Sequence, residues 1–201
     1  MLPRNQAGHR GAARKPLTAR QQALLTDLEE LFLAKGFIEF TLDDLAAQLS
    51  CSKSTLYALA PSKEQLATRV VRGFFKGAAH TIEQRIVGKA DAREVIATYL
   101  AGVSDELHRA SAAFMRDIAD FPPARAEYEH NSRAAAERIS AFIADGVRSG
   151  VFREVHAGLI AEMVGVLVEA IQTGTIRDRA GVADAEAFGA LAELLLGGLA
   201  P

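Results

Sequence analysis

Apolar residues recur along this chain at intervals of three and four, and no stretch alternates with the period of a strand. Leu24, Leu28, Leu31 and Phe32 give a first helix one apolar face; Thr18 with Gln21 opens it in a capping-box spacing and Gly36 ends it. Thr41 before Leu42-Asp43-Asp44 is an N-cap with acids in the first turn, where they favour the helix dipole. Leu42, Leu45, Ala46 and Leu49 turn inward from that short second helix. Ser50 and Cys51 form a tight connection, Ser52 caps a third helix from Lys53 to about Leu59, and Pro61 stops it. Ser62 with Gln65 opens a long helix in which Leu66, Val70, Phe74, Ala78, Ile82 and Ile86 recur every four residues.

The rear half repeats the period. After Asp91, the residues Val95, Ile96, Tyr99, Leu100, Val103 and Leu107 make one stripe. A shorter segment around Phe114 to Ala119 ends before Phe121-Pro122-Pro123, and a long helix then runs to about Arg148, closed by Gly150. Leu159, Ile160, Met163, Val164, Leu167, Val168 and Ile171 form a wide apolar stripe. Asp184 opens a last helix with Phe188, Leu191, Leu194, Leu195 and Leu199. The pattern predicts an all-α chain of about nine helices.

Composition narrows the class. The chain has 201 residues, 49% of them hydrophobic, and a single Cys, which excludes a disulfide scaffold and disorder over the whole chain. No run of about 18 apolar residues exists to span a membrane; the longest candidate, Leu159 to Ile171, carries Glu162 and Glu169. Arg4, Arg10 and Arg14 are followed by no apolar core, so no secretory signal is expected, and the lone thiol fits the cytoplasm. The net charge of −2 argues against a uniformly basic coat, but it conceals a split. Residues 1–80 hold 11 basic and 7 acidic residues, whereas residues 81–201 hold 12 and 18. The first 20 residues carry five basic side chains and no acid, the composition of an arm that touches a polyanion.

Residues 41–60 have the plan of a helix–turn–helix: a capped short helix, a tight turn and a second short helix whose N-terminal residues would meet DNA base edges. Ser52, Lys53, Ser54 and Thr55 stand at that end, with Tyr57 on the same outward side. Thr41 and Lys63, at the starts of two other helices, lie beside backbone N–H groups that favour an anion. Most such contacts go to phosphates, which position a protein without reading sequence.

The run Leu31-Phe32-Leu33-Ala34-Lys35-Gly36-Phe37, then Thr41-Leu42-Asp43-Asp44-Leu45-Ala46, Ser52-Lys53-Ser54-Thr55-Leu56-Tyr57 and Pro61-Ser62-Lys63-Glu64-Gln65-Leu66, resembles the tetracycline-repressor (TetR) family of bacterial transcriptional regulators over about residues 18–77. The resemblance implies a three-helix DNA-binding head, residues 18–80; residues 1–17, which lack apolar periodicity, read as a basic arm before it. It also implies a body of about six helices, residues 81–201, that dimerises and binds an effector. It implies a homodimer on a palindromic double-stranded operator, and DNA contacts by Thr41, Ser52, Lys53, Ser54, Thr55, Tyr57 and Lys63. The sequence departs from the family at Leu59-Ala60, where aromatics are usual, and Phe37, Phe40 or Phe74 are candidates to fill the space. A helical partner-binding protein with a lapsed head is the alternative.

Phe74, Phe75, Tyr99, Phe114, Met115, Ile118, Met163 and Gln172 are candidates to line a small-molecule pocket between the rear helices. The last two helices carry more apolar surface than a monomer's edge needs, and Leu159, Met163, Leu167, Phe188, Leu191 and Leu195 are candidates for a two-fold interface. No catalytic constellation, cofactor motif or metal-ligand pair is found: His80, His108, His130 and His156 are scattered, and Asp117 and Asp120 are expected to face water.

Overall fold

The computed structural model describes residues 17–199, with the side chains of Ala157, Ala161 and Gln172 outside the description. The described residues form ten α-helices and no strand: α1 (Ala19–Lys35), α2 (Leu42–Gln48), α3 (Lys53–Leu59), α4 (Lys63–Ile86), α5 (Ala92–His108), α6 (Ala112–Asp120), α7 (Pro122–Arg148), α8 (Ala157–Gln172), α9 (Thr175–Ala180) and α10 (Asp184–Leu199). The basic arm expected over residues 1–17 falls, up to residue 16, outside the described residues.

Helix starts follow the caps. Thr18 and Thr41 each form a full capping box, with Gln21 and Asp44 respectively. Ser52, Ser62 and Ser111 each accept one backbone N–H, from Thr55, Gln65 and Phe114. Such caps satisfy donors that a helix start leaves unpaired. Helix α7 uses another device: prolines occupy its first turn, where the missing N–H costs nothing.

One helix was not expected. The six residues of α9 lie between Gly174 and Gly181, both left-handed at φ 77° and 72°, and none of the six is buried. Without an apolar stripe, its sequence carried no periodicity to read.

Two cores share α4. The first gathers Leu24, Leu28 and Phe32 of α1, Leu45, Leu56 and Leu59 of the short helices, and Leu66 to Phe75 of α4. It also takes in Phe114 and Ile118 of α6 and Tyr128 of α7. The second begins at Ile82 and joins α5, α7, α8 and α10 through Ile96, Leu100, Ile143, Val168 and Leu191. Helix α10 packs mainly on α5, and α8 on α7. The expected stripe of α10 divides: Phe188, Leu191 and Leu195 are buried in this chain's own core, while Leu194 is 66% exposed. On α8, Leu159 and Met163 are more than half exposed, as is Val166, and Leu167 is partly buried.

Candidate nucleic-acid interface and effector cavities

The period of α3 decides which of its side chains are available. Leu56 and Leu59 point into the core, so Ser52, Lys53, Ser54 and Tyr57 are left on the outside, Tyr57 at 52% exposure. The Ser52 hydroxyl lies 2.7 Å from that of Ser54 and 2.8 Å from that of Thr55, clustering three hydroxyls at the helix start. The Lys53 ammonium sits 2.9 Å from Asp43 of α2, and this hydrogen-bonded carboxylate holds its pKa above the usual lysine value. Both partners are open to water, where such a pair is worth little.

Two other expected contact residues are engaged within the head. Thr41 Oγ1 accepts the Asp44 N–H at 3.2 Å, and the Thr41 hydroxyl and backbone N–H donate to Asp44 Oδ2 at 2.6 and 2.8 Å; these two donated bonds hold the Asp44 carboxyl below its usual range. Lys63 donates to the Ile38 carbonyl from a half-buried position and braces the loop between α1 and α2. The departure at Leu59-Ala60 is closed by packing: both are buried in a core that contains Phe37 and Phe74, and Phe40 packs on its edge. Arg69 donates to the Leu59 carbonyl at 2.5 Å and so ties the end of α3 to α4, a role no sequence signal announced. Cys51 is a half-buried filler at the turn, and burial pushes its thiol up.

Asp117 corrects an expectation. It does not face water: its Oδ2 accepts the backbone N–H groups of Phe37 and, at 2.8 Å, Ile38, which joins α6 to the head. Gly36 permits this approach. Its φ is +78°, and a Cβ there would lie 2.5 Å from Asp117 Oδ2. Beside it, the Ser111 N–H donates to the Leu33 carbonyl at 2.8 Å. Phe37 meets the Phe114 ring edge-on at 6.0 Å, and Phe74 meets Phe114 at 5.8 Å. Helix α6 is therefore bound to α1, to the following loop and to α4.

The other face of α6 borders open space. A cavity of about 940 Å³ lies between α6, α7 and α8, walled by Met115, Ile118, Tyr128, Ser132, Val168 and Arg177 among others. A second, of about 280 Å³, lies between α4, α5 and α7, with Phe74, Phe75, Tyr99 and Glu106 in its wall. Tyr128, Ser132 and Val168 line both. The Tyr128 hydroxyl donates to Asp184 at 3.5 Å, and Arg177 reaches the same carboxylate at 3.4 Å. Burial raises the Tyr128 pKa, and it also raises that of Asp184 against the pull of Arg177. Burial likewise pushes Tyr99 to about 12. Of the expected pocket residues, Phe74, Phe75 and Tyr99 thus share the small cavity, while Met115 and Ile118 share the large one. Phe114 is core and lines neither, Met163 points to solvent at 55% exposure, and the Gln172 side chain is outside the described residues.

Among the described residues, no group of three His, Cys, Asp or Glu could hold a metal ion, and no helix is long and apolar enough to cross a membrane. The architecture is thus a capped helix–turn–helix joined to an all-α body that carries two cavities.

Comparison with known proteins names the head. Residues 24–70 match the family model of the bacterial regulatory proteins of the tetR family, so the chain carries a TetR-type DNA-binding domain, as the resemblance over residues 18–77 implied. Over 51 residues it is 49% identical to the uncharacterized HTH-type transcriptional regulator YvaF of Bacillus subtilis; the match covers 25% of this chain and about a quarter (26%) of that protein. The whole fold is similar to that of the TetR family regulator PfmR from Thermus thermophilus (TM-score 0.61, 24% identity, 89% of this chain and 99% of that one). A protein from Saccharomonospora viridis solved in complex with choline gives a TM-score of 0.69 at 19% identity, over 90% of this chain and 98% of that one. FadR of Bacillus subtilis, in complex with stearoyl-CoA, gives 0.63 at 16% identity, over 90% and 99%. At these identities the likeness is one of fold.

Proposed function

We propose that this chain is a ligand-responsive transcriptional regulator of the TetR type, a repressor that binds a palindromic operator as a homodimer. The division of labour is an arm over residues 1–17, a DNA-binding head over 18–80 with its helix–turn–helix at 41–60, and an effector-binding and dimerising body over 81–201. The observation that carries the reading is the outer face of α3, where Ser52, Lys53, Ser54 and Tyr57 stand exposed on a capped helix within a TetR-type head. Lys53 and Tyr57 reach phosphates and Ser54 lies nearest the base edges. Thr41 and Lys63 contribute at the flanks once a phosphate competes for their present partners. Such a regulator works in the cytoplasm.

Effector binding is assigned to the two adjoining cavities. Proteins of the same fold hold molecules as different as choline and stearoyl-CoA, which supports the body as the ligand site while leaving its ligand open. Helix α6 borders the larger cavity with Met115 and Ile118 and grips the head with Asp117, so a ligand that shifts α6 alters the placement of α3. The effector must prefer the DNA-incompetent arrangement, or it shifts nothing. The dimer face is assigned to Leu159, Met163 and Val166 of α8 with Leu194 of α10, apolar side chains that this chain leaves uncovered. A gel-shift titration with genomic fragments tests the core claim, with selective retention of a palindromic fragment at moderate salt as the expected result; binding without sequence preference overturns it. A monomer in sedimentation equilibrium at micromolar concentration overturns the dimer.

A further inference from the structure

The smaller cavity has walls of a particular chemistry. Five aromatic rings, Phe74, Phe75, Tyr99, Tyr128 and Phe188, line it. Phe74 and Phe75 lie 5.0 Å apart, and Phe75 stacks on Tyr128 at 5.4 Å. Two carboxylates, Glu83 and Glu106, share the wall with one guanidinium, that of Arg138. Arg138 is committed to Glu83 through two hydrogen bonds of 2.8 and 3.0 Å. Glu106, only 7% exposed, holds Arg109 at 2.5 Å. Arg109 is itself half exposed, is not in the cavity wall, lies over the Phe74 ring at 5.5 Å and is shared with Glu29 at 3.4 Å. In the cavity wall, then, two carboxylates face one guanidinium, and Glu106, the one not bonded to Arg138, borders the empty space.

Ring faces carry negative charge density and attract cations, most strongly where water is excluded. An anion entering here would meet both the ring faces and Glu106. A neutral hydrocarbon would fit the rings but gain nothing from the carboxylate. The volume of about 280 Å³ is near the lower end of the range for small-molecule sites, roughly 300–1,000 Å³, which suits a compact ligand. The Ser132 hydroxyl, buried in the wall and without a hydrogen-bond partner among the described residues, is available to a polar end.

We propose that this cavity binds a small organic cation, a quaternary or protonated amine, with its charged end against the rings of Phe75, Tyr99 and Tyr128 and with Glu106, which it shares with Arg109, as its counter-ion. The proposal rests on the effector reading above and adds the class of ligand. The test is calorimetric titration of the full-length chain with choline and benzyltrimethylammonium. They are set against the alcohol in which a tert-butyl group replaces choline's trimethylammonium, and against decanoate as an anion. The expected result is that choline binds at least about tenfold more tightly than its neutral isostere. E106Q should weaken cation binding about tenfold and leave binding of the isostere unchanged. If E106Q does not fold, the isostere comparison on the unaltered chain decides. Equal or tighter binding of the neutral isostere or of decanoate overturns the proposal, and so does the absence of binding by either cation at millimolar concentration. The same compounds in a gel-shift assay separate the two claims. Release of DNA by decanoate alone overturns the cation class and leaves the effector reading standing. A cation that binds with the stated preference but leaves DNA affinity unchanged supports the class and counts against the effector reading.

Discussion

In the head, α2 and α3 are seven residues each, and their starts are closed by Thr41 and Ser52 from the adjacent sequence. In the body, α7 runs for 27 residues and α8 for 16, and they meet around space that neither fills. Short helices gain little from propagation, so the head depends on caps and on a shared core. The contrast separates a head, whose outer side chains are set by helical period, from a body, whose inner surface is set by how long helices cross. Between them stands α6, packed against the head on one face and lining the large cavity on the other.

The largest expected effect breaks this joint. Phe114 is fully buried and touches Phe37 and Phe74. Phe114→Ala is expected to cost about 3–5 kcal/mol in denaturant unfolding, with head and body lost together. Separate transitions would show that the two parts are independent. Asp117→Ala comes next, because it leaves two backbone N–H groups without their acceptor; a loss of about 1–3 kcal/mol is expected. The smaller volume removed and the retained Phe114 packing keep it below the first variant.

Lys53→Ala addresses the head alone. It is expected to leave the melting temperature nearly unchanged and to reduce the salt slope of operator binding by about one, the signature of one lost phosphate contact. An unchanged slope would remove Lys53 from the interface. The smallest effect lies in the body. The Arg138 hydrogen bond lowers the Glu83 pKa, so the pair's contribution is present above the unfolded glutamate value and is lost as pH falls through the lower folded one. Both side chains are more than 40% exposed, so the contribution is below about 1 kcal/mol. Glu83→Gln is expected to flatten that part of the acid-unfolding curve.

Much of the head was legible because its signals are local. Thr18, Thr41, Ser52 and Ser62 stand three residues before the backbone groups they cap, and Gly36 takes the positive φ expected of it. The stripe Leu66, Val70, Phe74, Ala78, Ile82 and Ile86 is buried throughout, because a four-residue step stays on one face of a helix. The body's stripes were equally legible, but their allocation was not. Phe188, Leu191 and Leu195 read as interface candidates, yet all three are taken by the core around α5, whereas Val166 and Leu194 are left outside. Periodicity names a face without saying what covers it. Asp117 failed for the same reason: its partners lie about 80 residues earlier in the chain.

By itself, then, the order of residues determined nine of the ten described helices, the starts closed by Thr18, Thr41, Ser52 and Ser62, and the small polar row on α3, because hydrogen bonding within a turn and helical period act over a few positions. Only the tertiary structure decided that Asp117 holds the head, that Glu106 borders an aromatic cavity with its neutralising arginine outside the wall, and which apolar residues remain uncovered. Those are properties of how helices cross, and a crossing is settled by the packing of side chains far apart in the chain.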